Sequence, residues 1–116
     1  MPKECRVYLD DIMSSIKKIE QYTASMSFEE FSKNGLVADA VIRNLEVIGE
    51  AVKSLPPEMK VPHPEIEWKK IAGLRDILIH EYFGVNLEII WDVVKNKLPE
   101  FKQSVSKIQG KKKMAD

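Results

Sequence analysis

The sequence has little cysteine and no net charge. Cys5 is the only cysteine among 116 residues, so the chain can form neither an internal disulfide nor a thiolate metal cluster. Eighteen basic and eighteen acidic residues cancel, so no overall field draws the chain to nucleic acid or to an anionic membrane. That balance counts against a high-affinity nucleic-acid binder. It leaves room for an enzyme that touches RNA through a local patch, for which Lys69-Lys70 is a weak candidate.

Long apolar runs are also absent. No stretch approaches the roughly 20 apolar residues of a membrane-spanning helix, and the residues from Met1 to Arg6 lack the apolar core of a signal peptide. We therefore expect a cytoplasmic protein with no membrane partner. An apolar share of 44% with 31% charge is typical of a folded globular chain. The length predicts a single helical domain over residues 1–109, followed by a flexible basic tail over 110–116.

Apolar residues recur at helical spacing along most of the chain, and no alternating strand pattern is present. Ser27 and Glu30 form a capping box that predicts a short helix, Asn34-Gly35 should end it in the left-handed conformation, and Gly84 should mark a turn. The predicted helices are 4–24, a short one from Phe28, 36–55, one from about Glu65 and one from Asn86 that Pro99 should kink or restart. The predicted fold is all-α, an up-and-down bundle of four to five helices.

Scarce polar chemistry collects in residues 72–85, which hold one of three arginines, one of two histidines and one of three tyrosines. Asp76 and His80 lie four positions apart and share a helix face, so the carboxylate can orient the imidazole. Arg75 lies about 140° round the helix from His80. One helix therefore does not place both groups on one patch, whereas two copies facing each other would. Tyr82 would present its hydroxyl at the mouth of such a cleft.

An arginine with a histidine suffices for metal-free phosphodiester cleavage. The arginine can stabilise charge on the phosphorane, and the histidine can activate the ribose 2′-hydroxyl or protonate the leaving 5′-oxygen. RNA carries its own nucleophile, so DNA should be a poor substrate. The plain alternative is that His80 is an ordinary surface histidine and that Arg75-Asp76 is ordinary surface charge. On these two residue types alone, the plain alternative is favoured.

The pattern Arg75-Asp76-x-x-x-His80-x-Tyr82 resembles the Arg-polar-x(3)-His-x-Tyr signature of the HEPN superfamily. In particular it resembles the HepT-like toxins that are paired with minimal nucleotidyltransferase antitoxins. The resemblance extends over most of residues 5–95. Its other stretches are 7–12, 28–31, 40–51, 63–68 and 83–85.

The resemblance implies a homodimeric helical bundle that acts as a metal-independent endoribonuclease toxin without a cofactor. By position, it implies that Arg75 and His80 are catalytic and that Asp76 supports them. It also implies that a partner nucleotidyltransferase adenylylates Tyr82 and so silences the toxin, because a bulky anionic group would stand beside the groups that receive the RNA phosphate. Two alternatives are a non-catalytic companion that presents Tyr82 or a nucleotide to the transferase, and a structural helical adaptor.

Other polar and aromatic residues have less specific patterns. Glu46 and Glu50 share a helix face at a spacing that could bind a metal, but no histidine or cysteine joins them. A solvated face or a dimer contact is therefore the better interpretation, with Arg43 as a partner of Glu46. Trp68 and Trp91 are expected in the core or in a dimer interface rather than in a base-stacking platform.

Overall fold

The computed structural model describes the backbone of residues 3–80 and 86–115 and the side chains of 3–78 and 86–110. Within those ranges the chain is helical and contains no strand, which confirms the all-α prediction. The predicted turn at Gly84 lies outside the described residues. In chain order the elements are α1 (Lys3–Thr23), α2 (Phe28–Lys33), α3 (Gly35–Ser54), α4 (Pro57–Lys60), α5 (Trp68–His80), α6 (Leu87–Asp92), a π-helical segment (Val93–Lys97) and α7 (Leu98–Ala115).

The long helices α1, α3 and α5 and the continuous helical stretch from α6 to α7 form the bundle around one core. Helix α3 packs against both α1 and α5, so it lies at the centre. On α1, Ile12, Ile16 and Ile19 lie three or four positions apart and are buried, as the helical spacing of apolar residues predicts, whereas Tyr8 is half-buried. The largest fully buried side chains are Phe31, Leu9, Ile12, Ile16, Ile19, Leu45, Ile48, Leu78 and Ile90. Within the described residues, none of the helices is long and apolar enough to cross a membrane.

Polar caps set the boundaries of α2 and α3. The Ser27 hydroxyl accepts from the Glu30 amide at 3.1 Å and the Glu30 carboxylate accepts from the Ser27 amide at 3.0 Å, which confirms the capping box. Asn34 ends α2, but not through the left-handed conformation that we predict, because its φ is −109°. Its side chain instead accepts from the Val37 amide at 3.1 Å. Asn34 therefore begins the next helix while it ends the previous one.

Two prolines add a short helix that the sequence pattern does not predict. The pair Pro56-Pro57 follows the end of α3, and Pro57 occupies the first position of the one-turn helix α4. Proline suits that position because its φ is already helical and its missing amide has no partner there in any case. With the stretch from α6 to α7 counted as one helix, the described chain has six helices rather than four to five.

Helix α5 begins at Trp68, not at about Glu65. The Ile66 amide bonds to the His63 carbonyl, and the Trp68 amide bonds to the Ile66 carbonyl, so a turn occupies the residues before the helix. The Trp68 indole donates to the His63 carbonyl at 3.0 Å and meets the Phe101 ring edge-on at 6.0 Å between centroids. The Trp68 side chain is buried, which confirms its core location and fixes the start of α5.

Pro99 lies just after the π-helical segment. The Leu98 amide donates to the Val93 carbonyl, five residues back, and the helix continues without a break into α7. The predicted kink or restart therefore takes the form of a π-helical turn within one continuous helix, next to a proline that cannot donate to the carbonyl four residues before it. The backbone of α7 is helical to Ala115, past the predicted domain boundary at 109. The boundary itself and the flexibility of the tail over 110–116 stay predictions.

Candidate functional site

Helices α3 and α5 meet at very close range beside Arg75. A Cβ atom at Gly49 would lie 2.6 Å from Arg75 Cβ, 3.1 Å from the Arg75 amide nitrogen and 3.2 Å from the Ile71 carbonyl oxygen. Real Cβ contacts are not that short, so only glycine allows the two backbones to approach this closely. A glycine inside a helix costs up to about 1 kcal/mol relative to alanine. Here that cost is offset by the packing of α5 on α3, which places Arg75 at the junction.

The Arg75 guanidinium is held by two carboxylates. Its Nε forms an ion pair with Glu50 Oε2 at 2.8 Å, and its Nη1 donates to Asp76 Oδ1 at 2.9 Å. The Arg75 side chain is 30% exposed, and the two carboxylates are about half exposed. The guanidinium is therefore partly buried, oriented by its neighbours and still accessible from solvent.

A crevice of about 280 Å³ opens beside Arg75, between α1, α3 and α5. Arg43 and Glu46 form an ion pair at 3.5 Å on its wall, which confirms Arg43 as the partner of Glu46. Three carboxylates and two guanidinium groups line the crevice, so its charge is not one-sidedly positive. Its lining residues are Tyr8, Asp11, Arg43, Glu46, Val47, Glu50, Ala51, Ser54 and Arg75.

Glu46 and Glu50 do not form a shared metal site. Each carboxylate faces an arginine instead, Glu46 facing Arg43 and Glu50 facing Arg75. Across the side chains that the structure describes, no three His, Cys, Asp or Glu groups converge as a metal site would need. Glu50 is exposed, as predicted for a solvated face, but it also bonds to the predicted catalytic arginine. The sequence pattern did not reveal that bond.

Two of the predicted site groups lie beyond the described side chains. His80 is the last residue of α5, five positions after Arg75, but its imidazole is not among the described side chains. Tyr82 lies outside the described residues. The predicted contact between Asp76 and His80 and the location of Tyr82 at the cleft mouth therefore stay predictions. What the structure places together is Arg75, Asp76 and Glu50.

The candidate RNA-attracting pair Lys69-Lys70 is exposed, but Lys70 already has a partner. Its Nζ lies 2.7 Å from Glu67 Oε2. The hydrogen bond and charge of Lys70 lower the pKa of Glu67, and Glu67 in turn raises the pKa of Lys70. The local positive charge is therefore partly offset by Glu67, and the RNA-binding role of this pair stays a prediction.

Comparison with known proteins connects this arrangement to a family. A sequence model of the family described as "Ribonuclease HepT-like" matches residues 12–108. This chain belongs to the HepT-like family.

Relatives of the chain are named as ribonucleases. A candidate RNase of Methanocaldococcus jannaschii is 51% identical over 87 residues, which cover 74% of this chain and 72% of that protein. A Thermococcus cleftensis protein named as a probable ribonuclease HepT is 46% identical over 86 residues, covering 74% of this chain and 78% of that protein. These names support ribonuclease activity at the level of the family.

The fold is also similar to that of a solved structure, the tri-AMPylated Shewanella oneidensis HEPN toxin in complex with the MNT antitoxin. The TM-score is 0.71 at 25% sequence identity, over 95% of this chain and 99% of that one. The resemblance to HEPN proteins that the motif indicates is thus confirmed by the family match, by the relatives and by the fold.

Proposed function

We propose that this HepT-like protein is a homodimeric endoribonuclease toxin that cleaves RNA without a metal ion, with Arg75 and His80 as its catalytic residues. The observation that carries the proposal is the state of Arg75. It is oriented by two carboxylates at the wall of a crevice, on the same helix as His80. An arginine held in this way suits a phosphate, because its planar fork matches the phosphate oxygens.

The reaction needs only groups that the chain and RNA supply. The ribose 2′-oxygen attacks the adjacent phosphorus and forms a 2′,3′-cyclic phosphate, while the bond from phosphorus to the 5′-oxygen breaks. His80 accepts the proton of the 2′-hydroxyl or donates a proton to the leaving 5′-oxygen. Arg75 stabilises the negative charge that develops on the phosphorane oxygens. Asp76 supports the site by holding Arg75 and, as the helical spacing predicts, by orienting the His80 imidazole.

A homodimer would complete the site, since Arg75 and His80 lie about 140° apart around α5. Two features of the exposed face of α5 support a contact with a second copy. Ile77 is 53% exposed although it is apolar, and a Cβ at Gly73 would meet no atom within 4 Å. A second α5 helix packed on this face would bury Ile77 and bring two copies of the motif together.

Ile77→Glu tests this contact. We expect the variant to be monomeric in sedimentation experiments and to lose RNase activity, because a charge would replace an apolar contact. Leu36→Glu is the matched control. Leu36 is 84% exposed at the start of α3, about 21 Å along that helix from Glu50, so its substitution should leave the dimer intact. A dimeric and fully active Ile77→Glu variant would contradict this interface.

The proposed regulator is a nucleotidyltransferase antitoxin. It would transfer AMP from ATP to the Tyr82 hydroxyl, so that a bond forms between the tyrosine oxygen and the α-phosphorus and pyrophosphate leaves. The AMPylated state of the solved HEPN toxin and its complex with an antitoxin support this part. The intact mass of the protein after incubation with the partner and ATP should rise by one or more AMP units. Tyr82→Phe should abolish the gain, and no gain with a competent partner would count against adenylylation.

The activity is tested by incubating the purified protein with RNA in EDTA, beside Arg75→Ala and His80→Ala variants. We expect cleavage by the wild type and a loss of about 10²–10⁴-fold in each variant. Cleavage undiminished in both variants would overturn the assignment of the site. An inert protein that still binds the transferase tightly would instead indicate the alternative function, a non-catalytic companion of the transferase.

A further inference from the structure

We propose that Glu50 is a positioning residue for Arg75, and that the α3 helix thereby sets the orientation of the catalytic guanidinium. This inference rests on the proposed ribonuclease function and deepens it. Glu50 Oε2 forms an ion pair with Arg75 Nε at 2.8 Å across the junction of α3 and α5. The bond joins two helices, whereas Asp76, the other carboxylate on Arg75, is its neighbour on the same helix.

The choice of nitrogen matters for catalysis. A carboxylate at Nε restrains the guanidinium near its attachment. It leaves the terminal nitrogens, of which Nη1 bonds to Asp76, with donors for a ligand. Arginine loses side-chain freedom when it is immobilised. A bond present before RNA arrives covers part of that entropy loss in advance, which is the preorganisation that effective charge stabilisation requires.

The position of Glu50 is itself well anchored. It lies between Gly49, which contacts the α5 backbone, and the buried Ala51 and Val52. The Glu50 backbone therefore cannot shift without disturbing the core. Asp76 belongs to the same turn as Arg75 and would move with it. Of the two carboxylates, Glu50 is the one that ties Arg75 to the rest of the bundle.

A charge effect opposes this role. Glu50 is an anion beside the site that must receive a phosphate, so its charge weakens RNA binding while its contact with Nε orders Arg75. Replacing Glu50 with glutamine separates the two effects, because the glutamine side chain keeps an oxygen near Nε but carries no charge. If Glu50 positions Arg75, glutamine keeps the activity because it keeps the oxygen beside Nε. If Glu50 only weakens RNA binding through its charge, alanine and glutamine both raise the activity.

The experiment compares kcat and KM for RNA cleavage in the full-length wild type, Glu50→Ala, Glu50→Gln and Glu20→Ala. Glu20→Ala is the matched control because Glu20 also pairs across two helices, with Lys102 at 2.9 Å, and its side chain is 43% exposed against 57% for Glu50. We expect Glu50→Ala to lower kcat by about 10- to 100-fold, since a small misplacement of a catalytic group has that effect. KM should fall modestly in both Glu50 variants because an anion beside the phosphate is removed. Glu50→Gln should keep most of the kcat, and Glu20→Ala should match the wild type.

The outcomes separate this inference from the function on which it rests. An active wild type with an unchanged or faster Glu50→Ala variant overturns the positioning role alone, and a faster variant indicates an electrostatic brake. A Glu50→Gln variant as slow as Glu50→Ala also overturns it, because an acceptor alone then does not suffice. A Glu50→Ala variant whose thermal midpoint falls far below that of Glu20→Ala, with glutamine restoring stability and rate together, overturns the positioning role and indicates a structural one. An inactive wild type contradicts the proposed function and this inference with it.

Discussion

Two interhelical contacts, one between α3 and α5 and one between α1 and α7, each contain an ion pair between a glutamate and a basic side chain. Glu50 meets Arg75 at 2.8 Å and Glu20 meets Lys102 at 2.9 Å, and each pair joins two long helices near the surface. The contacts differ in their surroundings. At α3–α5 a glycine brings the backbones together and a second carboxylate holds the same cation. At α1–α7 the lysine bonds to both oxygens of one carboxylate, at 2.9 and 3.2 Å.

This difference shows which of the two contacts can serve a reaction. A half-exposed ion pair contributes at most about 1 kcal/mol to stability, so neither bond is needed to hold the bundle together. Lys102 is a point charge that uses its donors on Glu20. Arg75 is a planar fork with five donors, so it can bond to Glu50 and Asp76 and still present donors to a phosphate. An interhelical ion pair becomes informative about function when its cation keeps donors for a ligand.

Exchanging the two cations is expected to have the largest effect on activity. Arg75→Lys keeps the positive charge but replaces the planar guanidinium with a single ammonium group. That group cannot bond to Glu50, Asp76 and a phosphate in the same geometry. We expect RNase activity to fall by about 10²-fold or more, with an unchanged oligomeric state. Lys102→Arg should leave activity unaltered. Initial cleavage rates on the same RNA measure both, and an Arg75→Lys variant with near wild-type rates would show that charge alone suffices.

The close approach of α3 and α5 is expected to have the next largest effect. Gly49→Ala places a methyl group 2.6 Å from Arg75 Cβ, so the helices must move apart. We expect a loss of about 1–3 kcal/mol in the free energy of unfolding, together with reduced activity as Arg75 shifts. Denaturant unfolding followed by circular dichroism measures the free energy of unfolding.

Gly110→Ala is the control for this prediction because Gly110 lies in α7, outside the proposed dimer contact on α5, with open space at its Cβ position. Alanine there should stabilise the helix by about 0.5–1 kcal/mol. Equal effects of the two substitutions would show that the α3–α5 contact is not tight at Gly49.

The smallest expected effect concerns the surface pair Glu67 and Lys70, which lies just before Arg75 in the sequence. The pKa of Glu67 lies below its ordinary value because Lys70 bonds to its charged form, with a lesser contribution from Lys97. A carboxylate with a lowered pKa adds stability above its unfolded-state pKa and loses it as the pH falls through the folded value. NMR titration should place the Glu67 pKa below that of an ordinary glutamate and return it upward in Lys70→Ala. An unchanged pKa in that variant would contradict the pairing.

Much of the fold follows from local rules that a single sequence displays. The helical spacing of apolar residues predicts the buried stripe of α1, and the polar caps at Ser27 and Asn86 lie where the helices begin. Errors arise where one local signal has two uses. Glu65 suits a helix start, but the turn that leads to Trp68 delays the helix by three residues, and Pro57 both ends one helix and begins another.

The site was predicted less completely, for a reason of geometry. The periodicity of one helix shows which of its residues share a face, so Asp76 and His80 could be paired in sequence. It does not show which residue of another helix meets Arg75, because that depends on how α3 and α5 cross. The one available signal was Gly49, a glycine in the middle of an otherwise well-formed helix, which indicates a close approach of another backbone. Its neighbour Glu50 is the partner that was missed.

The ribose 2′-hydroxyl is the nucleophile in the RNA cleavage proposed for this chain, with Arg75 stabilising the phosphorane. The most direct test maps the cleaved bond in an RNA oligonucleotide and then replaces the single 2′-hydroxyl beside it with hydrogen. We expect the wild type, in EDTA, to leave a 2′,3′-cyclic phosphate and a 5′-hydroxyl, and to stop cutting at the modified position. Cleavage of the 2′-deoxy position at an undiminished rate would contradict the mechanism.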